Sequence, residues 1–290
     1  MDFLIEILKA IILGIIQGIT EWLPISSTGH MILVDEFLQL AGGETFVELF
    51  LVVVQFGSIL AVVLMYFNRL NPFSKRKSIS EKKETINLWI KILIACVPAG
   101  IIGVLFNDQI KAWFFNPPVI SITLIVYGVG FIVIERRKRR PTVNRLNEIT
   151  SVKAAQIGVF QMLALIPGTS RSGATIMGST LLGLNRKTAS EFSFFLAIPV
   201  MLGASLLDLI RYDGILTIQN IAVLMAGMIT AFIVSIVAIK MLLSYIRKHS
   251  FEVFGYYRII LGAIVFIYFV VIPFLTLKKY QLFLYLLISP

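Results

Sequence analysis

Reactive side chains are concentrated in two short stretches that interrupt apolar sequence. The stretch GITEWLPISSTGH, from Gly18 to His30, carries a carboxylate, three successive hydroxyls and an imidazole. The stretch PGTSRSGAT, from Pro167 to Thr175, carries hydroxyls, glycines and one arginine. Hydroxyls, carboxylates and imidazoles act in nucleophilic and acid–base catalysis, and an arginine fork binds phosphate oxygens. Together the two stretches predict a site for a phosphate-bearing or other anionic ligand.

The spacing in and before the first stretch predicts which side chains share a face. Gln17 and Glu21 are four residues apart, so a helix places them on the same side. We expect Pro24 to end or kink that helix, with the hydroxyls on irregular backbone after it. The candidate residues beyond the proline are Ser26, Ser27, Thr28, Gly29 and His30. The glycine would permit the close approach of a ligand, and Glu21 with the histidine would form a metal-binding or acid–base pair.

The second stretch is predicted to lead into a helix in the same way. Its candidate residues are Ser170, Arg171, Ser172, Gly173 and Thr175. Two helix N-termini facing one cavity would bind an anion through free N–H groups and the positive ends of the helix dipoles. Any single hydroxyl here could instead serve only as a helix cap. Arg171 favours a binding site, because a charge inside an apolar segment costs about 2.5–3.5 kcal/mol and needs a partner or a ligand.

The elements that position these residues are predicted to be membrane helices. Of the 290 residues, 58% are hydrophobic and 14% are charged. Apolar blocks of about 17–25 residues recur, and because they are continuous and not alternating, the predicted fold class is an all-α integral membrane protein. The basic residues behind the net charge of +10 lie between these blocks, which argues against a nucleic-acid partner. The single cysteine, Cys96, cannot form an intrachain disulfide, and the acidic start MDFLIEILKA predicts no cleavable signal peptide.

About six transmembrane helices are predicted, together with two interrupted segments. The predicted spans are 45–67, 86–106, 118–135, 188–210, 218–243 and 256–277. The interrupted segments are 3–40 and 151–184, which break at PISSTG and PGTSRSG. Each half of an interrupted segment is expected to be about one half to two-thirds of a bilayer long, so we expect two re-entrant helix–loop–helix segments that are surrounded by protein or by a wet cavity.

Basic loops set the predicted orientation. Loops 68–85 and 136–153 are rich in lysine and arginine, whereas 107–117 carries only Lys111. The positive-inside rule therefore places the two basic loops in the cytoplasm and 107–117 outside. The short loop 244–255 then falls inside as well. It follows that the first interrupted segment opens to the outside and the second to the inside.

The two interrupted segments also match each other in sequence when the first is shifted by 144 positions. The matched pairs are Gly14 with Gly158, Gln17 with Gln161, Ser26 with Ser170, Thr28 with Ser172 and Gly29 with Gly173. With opposite orientations, this pattern predicts an inverted-topology repeat whose broken segments meet near the midplane. The predicted boundaries are about 1–135 for repeat one and about 151–277 for repeat two, within a single membrane domain over 1–290.

The longer stretches QGITEWLPISSTGHMIL and PGTSRSGATI resemble the two signature motifs of the bacterial undecaprenyl-diphosphate phosphatases, the bacitracin-resistance family. The resemblance extends over nearly the whole chain, including the spacing of the motifs and the number of spans. It implies hydrolysis of undecaprenyl diphosphate to the monophosphate, which recycles the lipid carrier of cell-wall synthesis and confers bacitracin resistance. It also implies the inverted repeat and a divalent cation, Mg²⁺ or Ca²⁺, as cofactor.

The resemblance assigns roles to the candidate residues. The implied catalytic residues are Glu21, Ser27, His30 and Arg171, with Glu21 also as the metal ligand. The implied substrate-binding residues are Gln17, Ser26, Thr28, Gly29, Ser170, Ser172, Gly173 and Thr175. The family motif begins with Glu or Gln. Because Gln17 lacks a full negative charge, a two-carboxylate metal site would be weaker in this chain.

Several alternatives are open on the sequence alone. The nucleophile is Ser27, His30 or a metal-activated water, and we favour Ser27 because it lies between the acid and the imidazole. A transporter or flippase for a lipid phosphate or another anion is the alternative function, since inverted repeats with broken helices are common among transporters. We further expect a multi-pass protein of the bacterial inner membrane whose active site faces outside, with a homodimer as one assembly.

Overall fold

The structure is a computed structural model that describes residues 2–137 and 140–276. Within these ranges the chain is helical apart from turns and one isolated bridge between Val143 and Leu184. The α-helices are α1 (Asp2–Thr20), α2 (Ser27–Asp35), α3 (Gly43–Met65), α4 (Phe67–Leu70), α5 (Ile79–Phe114), α6 (Pro117–Arg136), α7 (Ser151–Met162), α8 (Arg171–Leu181), α9 (Arg186–Arg211), α10 (Ile218–Ile246) and α11 (Glu252–Phe266). A π-helical turn, Ile267–Val271, continues α11.

Seven helices in the described part of the chain are long and apolar enough to cross a membrane. Six of them, α3, α5, α6, α9, α10 and α11, coincide with the six predicted spans. The seventh is α1, whose apolar part Phe3–Thr20 forms the first half of the first interrupted segment. By length and composition this half can cross a membrane, so the expectation that it is shorter than a span was wrong. The prediction of an all-α integral membrane protein is therefore confirmed. Residue 277, the predicted end of the last span, lies outside the described residues.

The first interrupted segment breaks earlier than predicted. α1 ends at Thr20, four residues before Pro24, where the sequence predicted the break. A proline ring clashes with the carbonyl group four residues earlier in a helix, so the effect of Pro24 reaches back to Thr20. α2 already begins at Ser27, because the Ser26 hydroxyl accepts a hydrogen bond from the Gly29 N–H at 3.3 Å and caps the helix. Of the three successive hydroxyls predicted on irregular backbone, only that of Ser26 is found there.

The second interrupted segment has the same construction. α7 ends at Met162, a 3-10 turn follows over Leu163–Leu165, and α8 begins at Arg171. Ser170 caps α8 by accepting the Gly173 N–H at 3.1 Å. The starts of α2 and α8 are thus related by the same shift of 144 positions as the sequence matches, which supports the predicted repeat. Re-entry of the segments on the side from which they came stays a prediction.

Equivalent helices of the two halves of the chain pack against the opposite half in the same way. α1 packs along α10, and the corresponding α7 packs along α5, while α6 packs on α11 and α3 on α9. Two of the matched glycines allow this close packing. A Cβ on Gly14 would lie 2.6 Å from the Gly227 carbonyl oxygen of α10, and a Cβ on Gly158 would lie 2.4 Å from the Ala95 carbonyl oxygen of α5. The matched glycines therefore mark where each interrupted segment crosses the other half.

The predicted cytoplasmic loops lie together at one end of the molecule. Arg69, before α5, forms an ion pair with Glu191 on α9 at 2.9 Å and shares a cavity with the loop that leads into α7. Arg136, at the end of α6, donates to the Tyr256 hydroxyl near the start of α11 at 2.7 Å. The start of α1 instead contacts the loop after α2, where Glu6 accepts a backbone N–H at 2.8 Å. α1 and α7 thus begin in different surroundings, which supports the predicted inversion.

The segment 107–117, which was predicted to be a loop outside the membrane, is mostly helical, so the prediction of a loop was wrong. Its position outside the membrane stays a prediction. α5 continues to Phe114, with one irregular residue at Phe106, whose φ is −125°. Hydropathy locates the part of a helix that spans the membrane, and helical hydrogen bonding can continue beyond that part into polar sequence. Asn116 then begins α6 by accepting the Val119 N–H at 3.1 Å.

Candidate active site

The breaks in the two interrupted segments, residues 21–26 and 163–170, enclose a polar cavity of about 210 Å³. Side chains from both breaks line this cavity, together with a glutamine from α3. Its polar lining residues are Glu21, Ser27, Thr28, Gln55, Ser170 and Arg171. All of these except Gln55 were candidates from the sequence, and the structure brings together residues as far apart as Glu21 and Arg171, separated by 150 positions.

Glu21 accepts hydrogen bonds from three side chains. Its Oε1 atom accepts from Arg171 Nη2 at 2.9 Å, and its Oε2 atom accepts from Gln17 Nε2 at 2.9 Å. Ser27 Oγ donates to Oε2 at 3.4 Å, a long contact of the kind that shortens when an active site binds its substrate. Glu21 is buried, so Arg171 supplies its counter-charge. A serine hydroxyl therefore faces a buried carboxylate, which is an arrangement that can activate a nucleophile.

Arg171 is held in a fixed orientation between the two breaks. While Nη2 donates to Glu21, Nη1 donates to the Ser193 carbonyl oxygen at 2.8 Å. The guanidinium carbon lies 5.5 Å from the centroid of the Trp22 ring, within the range of a cation–π contact. Thr175 supports this arrangement, because its hydroxyl lies 2.6 Å from Ser193 Oγ. The fork therefore reaches the cavity in an orientation that suits a carboxylate or a phosphate.

Ser26 and Ser170 share an unusual backbone conformation. Both have a φ of 72°, and among the described residues they are the residues other than glycine with a positive φ. This conformation costs about 1–3 kcal/mol and is concentrated at functional sites. In both breaks it directs the chain into a capped helix whose first residue, Ser27 or Arg171, lines the cavity. Two helix N-termini thus begin at one cavity, as the sequence predicted.

His30 contacts other groups than Glu21. Its Nδ1 atom lies 2.7 Å from the Ser26 carbonyl oxygen, and its Nε2 atom lies 2.6 Å from the Tyr257 hydroxyl of α11. Because a carbonyl oxygen can only accept, Nδ1 carries the proton of the neutral ring, and Nε2 accepts from Tyr257. His30 is also absent from the described lining of the polar cavity. The imidazole therefore links the start of α2 to α11, and Arg171 occupies the place beside Glu21 that the sequence analysis gave to His30.

The remaining candidate residues lie behind the cavity wall. Ser172 Oγ donates to the Glu21 carbonyl oxygen at 3.1 Å, so it connects the second break to the first. Gly29 and Gly173 donate their N–H groups to the two capping serines. A Cβ on Gly29 would also lie 3.0 Å from Leu124 of α6, which leaves little room for a larger residue. Substrate contact by these three residues stays a prediction.

An apolar cavity of about 230 Å³ adjoins the polar cavity at Thr28, which lines both. Its walls come largely from α1, α2 and α3, and they include Leu13, Met31 and Phe50. The two cavities together would accept a molecule with a charged head and a hydrocarbon tail, because each part would meet surroundings of its own polarity.

The described residues contain no group of three His, Cys, Asp or Glu side chains that could hold a metal ion. Glu21 is the one carboxylate among the described lining residues of the polar cavity. Mg²⁺ is commonly bound by one or two carboxylates together with substrate phosphates. The residues therefore fit an ion that is shared with a diphosphate, and they do not form a complete metal site on their own.

A protein-family model described as bacitracin resistance protein BacA matches residues 10–264 of the chain. The chain belongs to the BacA family. The matched residues include the breaks of both interrupted segments, so all lining residues of the polar cavity of this BacA-family chain lie within the match.

Relatives of this BacA-family chain carry the name undecaprenyl-diphosphatase. Undecaprenyl-diphosphatase 1 of Clostridioides difficile (strain 630) is 57% identical over 266 residues, which are 92% of this chain and 97% of the relative. The undecaprenyl-diphosphatase of Desulfitobacterium hafniense is 55% identical over 92% of this chain and 97% of its own length. That of Enterococcus faecalis (strain V583) is 56% identical over 88% of this chain and 95% of its own length.

Arg258 is a residue of this BacA-family site that the sequence analysis overlooked. It is fully buried on α11 and donates to the backbone carbonyl oxygens of Pro24 at 3.2 Å, Gly168 at 2.8 Å and Thr169 at 3.0 Å. One guanidinium therefore joins the first break to the second. The sequence did contain a signal, because an arginine inside the predicted span 256–277 carries the same insertion cost as the arginine of the second stretch.

Proposed function

We propose that the chain hydrolyses undecaprenyl diphosphate to undecaprenyl phosphate and inorganic phosphate. The observation that carries this proposal is the polar cavity in which Ser27, Glu21 and Arg171 meet between two helix N-termini. The adjoining apolar cavity suits an isoprenoid chain, and relatives that are 55–57% identical bear the name of this activity. In a bacterium the reaction recycles the lipid carrier for cell-wall synthesis and confers resistance to bacitracin.

The first chemical step transfers the terminal phosphoryl group to Ser27. Phosphate oxygens compete with Glu21 for the fork of Arg171, while the two helix N-termini bind further negative charge. Glu21, released from Arg171, accepts the proton of the Ser27 hydroxyl. The serine oxygen forms a bond to the terminal phosphorus, the bridging P–O bond breaks, and undecaprenyl phosphate leaves.

The second step returns Ser27 to its starting state. A water oxygen forms a bond to the phosphorus of the phosphoserine, and the bond between phosphorus and the serine oxygen breaks. The serine oxygen takes back the proton that Glu21 holds. The water supplies the hydroxyl group of the inorganic phosphate and releases its other proton to solvent. One water is therefore consumed for each undecaprenyl diphosphate.

The contacts favour Ser27 over the other two nucleophiles. Its Oγ atom contacts Glu21 and lines the polar cavity. The Nε2 atom of His30, which would have to attack, instead accepts a hydrogen bond from Tyr257. His30 is therefore proposed to position the start of α2 through the Ser26 carbonyl oxygen. Water acts in the second step of this scheme, after the lipid product has left.

We further propose that Mg²⁺ or Ca²⁺ takes part, and Glu21 together with the diphosphate would hold it. A bound cation would neutralise charge on the phosphates. Calorimetry with the cation should detect tight binding only when a non-hydrolysable isoprenoid diphosphonate is present, because the protein supplies a single carboxylate. Unchanged binding to Glu21→Gln would remove Glu21 as a ligand.

Purified protein in detergent is expected to release one inorganic phosphate from each undecaprenyl diphosphate. Detergent micelles have no compartments, so a transporter or flippase would release none. The measurement is colorimetric phosphate, together with separation of the lipid mono- and diphosphates. Glu21→Gln, which removes the proton acceptor, serves as the inactive control. Protein that is folded by gel filtration but releases no phosphate would support the transport function instead.

Arg171→Lys is expected to lower phosphate release at least about tenfold while the gel-filtration profile stays unchanged. A lysine keeps the charge but lacks the planar fork that reaches Glu21 and Ser193 at once. Arg69→Lys is the matched control, because Arg69 pairs with Glu191 outside the polar cavity, and its rate should stay within about twofold. Near-normal activity of Arg171→Lys would mean that a point charge suffices at this position.

We propose that the protein lies in the bacterial inner membrane with its polar cavity open to the outside. Ser26 is only 1% exposed, so a thiol probe belongs on a more accessible residue of the predicted outside segment. Lys111→Cys, with Cys96→Ser, should react with a membrane-impermeant thiol reagent in intact cells. Lys75→Cys in the same background should react only after the cells are opened. The reverse pattern would overturn the orientation.

The single membrane domain over 1–290 and the homodimer stay predictions. The mass of the purified protein in detergent, measured by light scattering, distinguishes one copy from two. A mass of one copy at all concentrations would exclude the homodimer in detergent.

A further inference from the structure

Four cationic side chains line a cavity that measures about 550 Å³ and lies apart from the polar cavity at the breaks. These residues are Arg137, Arg140, Arg186 and Lys187, and the carboxylate that faces them is Glu135. Arg186 pairs with Glu135, whereas the other three cations form no ion pair with another described residue. The cavity therefore has an excess of positive charge that no described side chain balances.

The position of this cavity corresponds to the level of lipid head groups. Its walls include the last residues of the candidate spans Pro117–Arg136 and Ile218–Ile246 and the first residues of the candidate span Arg186–Leu207. Three membrane helices thus end at the cavity. A negatively charged group at this depth belongs to the bilayer surface, where lipid phosphates are concentrated.

The walls of the cavity are apolar between the cations. Ile134, Leu181, Leu182 and Ile246 line it together with the charged residues. Farther along α10, Met241 is 66% exposed on the surface of a candidate span, so it faces lipid. A free phosphate would gain nothing from the apolar walls, whereas a phospholipid would place its phosphate on the cations and part of an acyl chain on the apolar side chains.

Backbone hydrogen bonds hold two walls of the cavity together. The Thr142 N–H donates to the Gly183 carbonyl oxygen at 2.8 Å, and the Asn185 N–H donates to the Val143 carbonyl oxygen at 3.0 Å. Gly183 has a φ of 92°, and a Cβ there would lie 2.3 Å from Thr142 Oγ1, so the close approach requires glycine. The cavity is therefore formed before any ligand binds, which lowers the entropy cost of binding.

We propose that this cavity binds the phosphate of an anionic phospholipid, with the cations on the head group and the apolar walls on an acyl chain. This lipid site is separate from the polar cavity and does not depend on the proposed phosphatase activity. Arg137 directly follows α6 and Lys187 lies in the first turn of α9, so the two side chains reach the cavity from different helices and can both contact one phosphate.

Native mass spectrometry of the full chain in detergent tests the proposal, with phosphatidylglycerol and phosphatidylcholine as probes. Phosphatidylglycerol should bind the unaltered protein more tightly than phosphatidylcholine. Each basic residue near a membrane surface contributes about fivefold, so Arg137→Gln combined with Lys187→Gln should weaken phosphatidylglycerol binding about 25-fold. Phosphatidylcholine binding should hardly change.

Lys75→Gln combined with Arg76→Gln is the matched control, because it removes the same charges from a basic loop that does not line the cavity. This control should bind phosphatidylglycerol within about twofold of the unaltered protein. An equal loss of phosphatidylglycerol binding in both double variants would show that only the net charge of the protein matters, and it would overturn the proposal. Displacement of phosphatidylglycerol by millimolar inorganic phosphate would assign the cavity to free phosphate, and equal binding of both lipids would remove the role of the cations.

Discussion

Ser27→Ala is expected to lower the rate of phosphate release at least about 10³-fold, while substrate still binds. The substitution removes the hydroxyl that contacts Glu21 and leaves the pairing of Glu21 with Arg171 intact. The two helix N-termini and the guanidinium fork still bind the diphosphate, so the Kd should change less than about threefold. The measurements are phosphate release at saturating substrate and lipid diphosphate binding to the same preparation.

Two further variants make this result specific to Ser27. Thr28→Val is the matched control, because it also removes a hydroxyl from the polar cavity, and its rate should fall less than about tenfold. The rate of phosphate release by His30→Ala should fall by about 10²-fold, since this variant lacks the contact that positions the start of α2. A larger loss for His30→Ala than for Ser27→Ala would point to a phosphohistidine, which acid destroys. An active Ser27→Ala enzyme would leave His30 or water as nucleophile without removing the phosphatase itself.

Arg258→Met is expected to lower phosphate release about 100-fold and to destabilise the protein. The fully buried guanidinium donates to carbonyl oxygens of both breaks, and each carbonyl left unpaired costs about 1–3 kcal/mol. Without this connection the half of the site with Ser27 can move relative to the half with Arg171. A displacement of about 1 Å is enough for a 100-fold loss. The measurements are kcat, KM and the Tm of the purified protein.

Arg69→Met is the control for Arg258→Met, because Arg69 is half-exposed and pairs with Glu191 away from the breaks. It also removes a guanidinium that pairs with a buried carboxylate, so it controls for a loss of stability, and kcat of the folded protein should stay nearly unchanged. Arg258→Lys should recover part of the stability and less of kcat, since an ammonium keeps the charge but cannot span both breaks with a fork. Near-normal kcat in a folded Arg258→Met protein would show that the breaks hold their positions without this residue.

The membrane helices and the two breaks were predictable from sequence because their causes are local. An apolar block of sufficient length identifies a span, and serine, glycine and proline at fixed spacing identify a capped break. The boundaries were less predictable. α1 ended at Thr20 because the effect of Pro24 reaches back four residues, and α5 continued to Phe114 because polar sequence can remain helical.

The sequence predicted most polar residues that line the polar cavity, but it did not predict which of their side chains contact each other. The matched breaks indicated that Glu21, Ser27 and Arg171 would come together, and they do. That Arg171 takes the place beside Glu21, with His30 against Tyr257, depends on how α11 packs on α2. Packing between helices from opposite ends of the chain cannot be deduced from the spacing of residues within one stretch. The position of Arg258 inside a predicted span indicated that it needs a partner, but its three acceptors are backbone atoms of other segments and could not be identified from the sequence.

The packing of α1 against α10, a helix of the other half of the chain, has a consequence for biosynthesis. α1 leaves the ribosome long before its packing partner α10 is made. Ser235 Oγ of α10 donates to the Gly18 carbonyl oxygen of α1 at 3.4 Å, across 217 positions of sequence. Contacts of such long range form late, so the nascent α1 must stay in the membrane without its partner during most of translation. Arg258 of α11, which joins the two breaks, is made later still, so the polar cavity can take its final form only after α11 has been inserted.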